Sequence, residues 1–131
     1  MNKEEKELLL RDLCNRLPYN VMCQVEFKED GKYNSKVMLL SGIFTDEAYF
    51  TTKGGSIYSN EYKPYLFPLS SMTEEEQRTL DSMCNGVEMV SRLSGLKMFG
   101  KAFNWLNENH FDYRGLIEKG LAIDATNLNI Y

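Results

Sequence analysis

Residues that could support acid–base chemistry are grouped around the single histidine of the chain, His110. Asp112 and Arg114 follow at alternate positions, and alternation along an extended segment points side chains the same way. These three residues could therefore surround a small pocket, which is the basis of a small-enzyme hypothesis. A histidine at the end of an amphipathic helix more often caps carbonyl groups, where the helix dipole favours it. We adopt this structural interpretation and predict no catalytic residue.

The residue spacing gives little support to metal or phosphate chemistry. A metal site built on one histidine would need carboxylates or thiols from distant segments, so we predict no metal and no cofactor. Cys14, Cys23 and Cys84 lie in apolar periodic segments, where we expect reduced, buried thiols. Such thiols indicate a reducing cytoplasm, either of a bacterium or of an infected host cell. Residues 53–56 lack the spacing of a phosphate-binding loop and predict a hairpin turn.

Aromatic residues give the strongest indication of a binding surface, because they crowd residues 49–67. On a small sheet, exposed rings can anchor residues of another protein or stack the bases of a single strand. Packing in the core is the alternative use of the same rings. The predicted binding residues are Tyr49, Tyr58, Tyr62, Tyr65, Phe67, Lys53 and Lys63, with His110, Asp112 and Arg114 added from the polar group.

The charge balance favours a protein partner over nucleic acid. The 131 residues include 15 basic and 19 acidic side chains, which gives a formal net charge of −4. Proteins that hold nucleic acid through phosphate contacts usually show a clustered positive face, and no run of this sequence supplies one. Self-association is left open. Single-stranded nucleic acid is the alternative partner, held by a patch of Lys28, Lys32, Lys36, Lys53 and Lys63.

The elements that must position these residues form one α+β domain. The segment 1–18 predicts an amphipathic helix over residues 3–17, because acidic residues come early, basic residues come late and Pro18 stands just beyond its end. Residues 19–72 predict a four- to five-stranded antiparallel meander or small barrel that ends in a proline-rich and aromatic connector. Residues 73–131 predict a helical section packed on the sheet. The longest uncharged apolar stretch, residues 37–44, is far short of the ~20 residues that cross a bilayer, so no membrane association is predicted.

The first hairpin can form in two registers. A two-residue turn would pair Phe27 with Asn34, whereas a three-residue loop pairs Phe27 with Tyr33. The three-residue loop aligns one continuous apolar face. We therefore expect this loop, closed by Gly31 in the left-handed conformation.

Two long helices are predicted in the C-terminal part. Thr73 and Glu76 form a capping box that begins the first helix, which is expected to end near Gly86. The second is expected over residues 97–109, after a break at residues 94–95. Its apolar stripe consists of Phe99, Ala102, Phe103, Leu106 and His110, with Trp105 beside it.

The last residues predict two short elements. Residues 113–119 are expected to form a short helix that is stopped by Gly120 at its C-terminal cap. Residues 121–123 can add a short strand to the sheet.

Three stretches carry a family resemblance: residues 17–19 (LPY), 62–76 (YKPYLFPLSSMTEEE) and 105–117 (WLNENHFDYRGLI). They resemble a set of small proteins from gut Bacteroides-type bacteria and their phages. The resemblance implies a phage or mobile-element context and brings no activity, so no functional residue is taken from it. We therefore expect a non-enzymatic protein-interaction module of phage or mobile-element origin.

Overall fold

Helices and strands are described for residues 1–44, 47–84 and 92–131 in a computed structural model of the chain. The helices are α1 (Lys3–Arg16), α2 (Glu74–Cys84) and α3 (Arg92–Glu108). The strands are β1 (Met22–Glu29), β2 (Lys32–Ile43), β3 (Ala48–Thr52), β4 (Gly55–Ser59), β5 (Glu61–Pro68), β6 (Phe111–Asp112) and β7 (Ile123–Asp124). The predicted α+β class is confirmed.

The strands form one mixed sheet in the order β4-β3-β2-β1-β5-β6, with β7 also paired to β5. Strands β1 to β5 pair in antiparallel fashion, whereas β6 and β7 run parallel to β5. Because β5 pairs with β1, the order departs from a simple meander, and the sheet does not close into a barrel. The segment expected to be a connector is β5 itself. Its Pro64 is the last β5 residue that pairs with β1, where a missing backbone N–H is tolerated.

The register of the first hairpin corrects the sequence-based expectation. Phe27 pairs with Asn34, and Asp30 and Gly31 alone form the turn, with φ angles of 51° and 78°. Two successive residues with positive φ define the tight turn whose twist matches that of the strands, and aspartate tolerates this conformation. The three-residue loop is therefore wrong.

The buried face of the hairpin follows from this register. Cys23 lies opposite Met38, and both side chains are buried. Val37, which the three-residue loop would place inside, is 41% exposed on the outer face. A shift of one residue exchanges the two faces of a strand, so β2 turns Met38 and Leu40 inward.

The core lies between α1 and the inner face of the sheet. Leu9 and Leu13 of α1 are buried against apolar side chains of the strands and the C-terminal turns. Those side chains are Val21, Cys23, Val25, Met38, Leu40, Ala48, Phe50, Leu66, Leu116, Leu121 and Ala122. Cys23 is buried as expected, but Cys14 is exposed and Cys84 is half-buried, because both point away from this core.

The capping box of α2 is confirmed. The amide of Glu76 donates to Thr73 Oγ1 at 3.1 Å, and the amide of Thr73 donates to Glu76 Oε1 at 2.9 Å. The expected helix end near Gly86 lies outside the described residues. Helix α3 begins at Arg92 and passes through residues 94–95, where a break was expected, because a single glycine is tolerated within a helix.

Residues 113–119 form turns instead of the expected helix. Two backbone hydrogen bonds close the last turn: the amide of Gly120 donates to the Ile117 carbonyl, and the amide of Leu121 donates to the Leu116 carbonyl. This is the bond pattern of a glycine-terminated helix end, and Gly120 has the left-handed φ of 74° that it requires. The glycine stop is therefore correct, whereas the helix before it is not formed.

Candidate functional site

A buried ion cluster joins α1 to the segment that follows α3. Asp12 and Arg16, one helical turn apart, are both 0% exposed. Arg16 Nε donates to Asp12 Oδ2 at 2.6 Å, and Arg114 Nη1 donates to Asp12 Oδ1 at 2.9 Å. One carboxylate therefore faces two guanidinium groups, and the three side chains carry one excess positive charge.

Tyr113 lies at the centre of the remaining contacts of this cluster. The guanidinium carbons of Arg16 and Arg114 lie 5.3 Å and 4.7 Å from the centre of its ring. Its hydroxyl accepts from Arg114 Nη1 and donates to Asn107 Oδ1, both at 2.9 Å. Arg16 Nη2 donates to the carbonyl of Phe111 at 2.6 Å. The cluster thus ties α1 to α3 and β6, and both Asp12 oxygens are already engaged as acceptors.

The side chains of His110, Asp112 and Arg114 contact different partners rather than one common pocket. Both carboxylate oxygens of Asp112 accept backbone amides of the following turn at 2.9 Å, while Arg114 reaches Asp12. The alternation argument assumes extended backbone, but His110 has a φ of 63°. In that conformation the side chain no longer points with those of the two residues that follow. The structure therefore does not assemble the predicted polar group.

His110 packs against the ring of Tyr131 instead of capping carbonyl groups. The two rings stack with centroids 3.6 Å apart and an interplanar angle of 12°. The Tyr131 hydroxyl accepts from the Met22 amide at 2.9 Å and donates to the Tyr65 carbonyl at 2.8 Å. Burial, and secondly the charge of Arg16, lower the pKa of His110 to about 4. The imidazole is therefore neutral at pH 7.

We expect the protein to lose stability as the pH falls from 6.5 towards 4 because of His110. Its pKa in the folded state lies below the ordinary value of 6.5, so the unfolded chain takes up the proton first. The stabilisation is complete above pH 6.5 and declines through this window. Since the side chain is partly exposed, the loss between pH 7 and pH 5 is about 1 kcal/mol. Urea denaturation at the two pH values measures it.

The variant His110→Asn provides the control for this pH effect, because asparagine tolerates a positive φ and does not titrate. It is less stable at pH 7, but its stability changes less between pH 7 and pH 5. An equal change in the variant and the wild type contradicts the assignment to His110.

The predicted aromatic residues of β5 are used mainly for packing. Tyr65 is 6% exposed. Tyr62 is half-buried, with its ring 5.1 Å from that of Phe50 between centroids. Phe67 contacts the rings of Phe111 and Tyr131, with centroids 6.2 Å and 6.0 Å away. These three residues of β5 do not share an open surface.

Tyr49 and Tyr58 share an open surface on the outer face of β3 and β4. Their ring centroids lie 4.9 Å apart, and the ring of Phe44 lies 5.7 Å from that of Tyr58. Phe44 and Tyr58 remain 54% and 56% exposed. A Cβ at Gly42 would lie 3.5 Å from Tyr49 Cβ and 3.6 Å from the Phe44 ring, so glycine leaves room for both rings. We call Phe44, Tyr49 and Tyr58 the outer aromatic cluster.

Sequence reasoning missed Phe44, which it treated as the end of an apolar stretch. Its position two residues after Gly42 places both on the same side of an extended chain, which is the signal that could have identified it.

The lysines of the alternative nucleic-acid site lie mostly at one end of the sheet. The β1–β2 and β3–β4 turns both lie at this end, where Lys28 and Gly54 line the same pocket, and Lys28, Lys32, Lys36 and Lys53 are exposed. Lys28 Nζ lies 5.7 Å from the Tyr33 ring centre. Lys63 of β5 lies apart from this group, where it pairs with Gln24 of β1.

The described part of the chain holds neither a metal-binding group nor a membrane-spanning helix. Among residues 1–44, 47–84 and 92–131, no three histidine, cysteine or acidic side chains are grouped so that they could hold a metal ion. No helix in the same ranges is long and apolar enough to span a membrane. Comparison with known proteins finds no family model, no curated protein and no solved structure that matches this chain.

Proposed function

We propose that this protein is a non-enzymatic interaction module that binds another protein through the outer aromatic cluster. The observation that supports it is a contiguous group of rings that contact one another in tilted pairs, in which Phe44 and Tyr58 are more than half exposed. Single exposed apolar residues are ordinary, but contiguous apolar patches mark interaction sites, and aromatic residues dominate binding energy there. Val37 and Tyr33 are 41% and 76% exposed on the same face of β2, but they lie nearer the β1–β2 turn and do not belong to this cluster.

The partner is expected to present a basic surface. The chain carries a net charge of −4, and charge of this sign steers encounter towards positive surfaces. The family resemblance adds the proposal that the partner is a bacterial or phage protein and that binding occurs in the bacterial or host cytoplasm.

The double variant Phe44→Ser/Tyr58→Ser is expected to lose most of this binding. Aromatic residues at the centre of an interface contribute about 2 kcal/mol each, so the loss of both lowers affinity by about 700-fold if the two contributions add. The immobilised chain is used to capture proteins from a Bacteroides lysate, and capture by the wild type and the variant is compared by quantitative mass spectrometry. A thermal unfolding curve verifies that the variant is folded.

The matched control is Phe99→Ser/Phe103→Ser on α3, because these rings are 44% and 48% exposed on another surface. The control should capture the same protein as the wild type. Equal capture by the wild type and the Phe44/Tyr58 variant contradicts the proposal.

Single-stranded nucleic acid is the second candidate partner, because four lysines gather at the turn end of the sheet. Bases could stack on Tyr58, whereas Tyr65 is too deeply buried to serve as a platform. Binding of oligo(dT) that weakens steeply with salt and with Tyr58→Ala, in the absence of a captured protein, would reverse the order of the two candidates.

A further inference from the structure

The sheet is split at the end where the lysines lie. β4 and β5 run in the same direction with only Asn60 between them, but β4 pairs with β3 and β5 pairs with β1. The β1–β5 ladder stops at Glu26. At that point Ser59 Oγ donates to the Glu26 carbonyl at 2.7 Å and holds β4 against β1. Beyond this contact the two strands separate.

Two unpaired strand edges face each other across the split. Among the residues that the structure describes, residues 27–29 of β1 pair only with β2, and residues 55–58 of β4 pair only with β3. No backbone hydrogen bond joins β1 to β4 within the described residues. Free strand edges present alternating N–H and C=O groups that pair readily with another extended chain.

The space between these edges is a slot of about 270 Å³ with an apolar lining and a charged rim. Phe27, Met38 and Ile57 supply the apolar side chains, while Lys28, Lys36 and Glu29 supply the charges. Lys36 Nζ lies 5.8 Å from the Phe27 ring centre, above the apolar part of the slot. We call this space the β1–β4 slot.

We propose that the β1–β4 slot binds an extended segment of a partner protein by β-strand addition. The backbone of the segment hydrogen-bonds to the free edges, and one apolar side chain contacts Phe27 and Ile57 on the inner face. Side chains alternate along an extended segment, so the adjacent acidic side chain turns to the outer face and meets Lys28. The acidic residue is indicated because two lysines outnumber the single glutamate of the rim. This proposal rests on the proposed function only in that the partner is a protein. The surface that the partner contacts is the β1–β4 slot and not the outer aromatic cluster.

A short peptide segment fits this slot better than a second copy of the chain. The slot ends at the Ser59–Glu26 contact, so the occupant must enter as a few extended residues. The edge strand of a folded second copy would bring its neighbouring strand with it, and that strand would collide with the closed end of the slot.

Selection from a displayed library of random twelve-residue peptides tests the proposal on the full chain. We expect enrichment of peptides that place an apolar residue next to an acidic one. The synthesised peptides should slow amide hydrogen exchange at residues 27–29 and 55–58. The variant Lys28→Glu/Lys36→Glu should weaken their binding at least tenfold, while Lys63→Glu, the same change outside the slot, should not.

The variant Phe44→Ser/Tyr58→Ser separates this proposal from the proposed function, because the two side chains that it replaces belong to the outer aromatic cluster and do not line the slot. Peptide binding that persists in this variant supports the slot even if capture of the lysate protein fails. The proposal is overturned if no peptide is enriched or if protection appears elsewhere. It is also overturned if the slot amides are protected by self-association at high protein concentration without peptide, or by oligo(dT) in preference to peptide.

Discussion

Replacement of Asp12 by asparagine is expected to lower the free energy of unfolding by about 4 kcal/mol, because it leaves buried positive charge without its counter-ion. Asp12 accepts from both Arg16 and Arg114, and Asp12 and Arg16 are 0% exposed. Water cannot replace the lost carboxylate where the side chains are fully buried. Urea denaturation at pH 7 measures the change. The wild type and the variant are compared with the same slope of unfolding free energy against urea concentration.

Two further variants separate the charge effect from a general effect of the substitution. Asp81→Asn makes the same change at an exposed residue of α2 and should alter stability by less than about 0.5 kcal/mol. Asp12→Leu combined with Arg16→Met removes two of the three charges and should cost less than Asp12→Asn alone. A double variant less stable than the single one contradicts the electrostatic account.

The sequence predicts the helix that carries Asp12 and Arg16, but it does not predict the ion cluster that they form. In the structure, Leu9 and Leu13 of this amphipathic helix lie in the core, whereas Leu10 is 39% exposed. Acidic and basic residues four apart on a helix ordinarily form an exposed pair, so Asp12 and Arg16 carry no sign of burial. Burial depends on Arg114, about 100 residues away in the sequence, which no local pattern connects with α1.

The hairpin and His110 show where backbone conformation limits prediction. An apolar face exists in either register, so hydrophobic pattern alone cannot choose between two- and three-residue turns. The two-residue turn requires a positive φ at Asp30. It is favoured because its twist matches the twist of the strands. The same departure from extended backbone at His110 separates its side chain from those of Asp112 and Arg114.

The aromatic residues were identified by type, but their surroundings depend on long-range pairing. Tyr58 lies on an outer face that no described element covers, and it stays exposed. Tyr65 lies where β7 pairs with β5 and where the Tyr131 hydroxyl bonds to its carbonyl. Both contacts come from residues more than 50 positions later, so the sequence around Tyr65 could not reveal its burial.

Replacement of Asp112 by alanine is expected to lower the free energy of unfolding by about 3 kcal/mol. Its two carboxylate oxygens accept the amides of Leu116 and Ile117 at 2.9 Å, and the residue is 7% exposed. Each buried amide that loses its acceptor costs about 1–3 kcal/mol. The turn that these bonds hold places Leu116, itself 0% exposed, in the core, so the loss extends to packing. Urea denaturation at pH 7 again provides the measurement.

Asp124 offers the matched control, because it accepts the Thr126 amide at 2.9 Å in a similar local turn but is exposed. Asp124→Ala should cost only about 0.5 kcal/mol, since water can replace the lost acceptor. Asp112→Asn keeps one carbonyl oxygen and should fall between the alanine variant and the wild type. Equal losses in the Asp112 and Asp124 alanine variants would show that burial of the amides does not determine the cost, and that Asp112 has no special part in holding the turn.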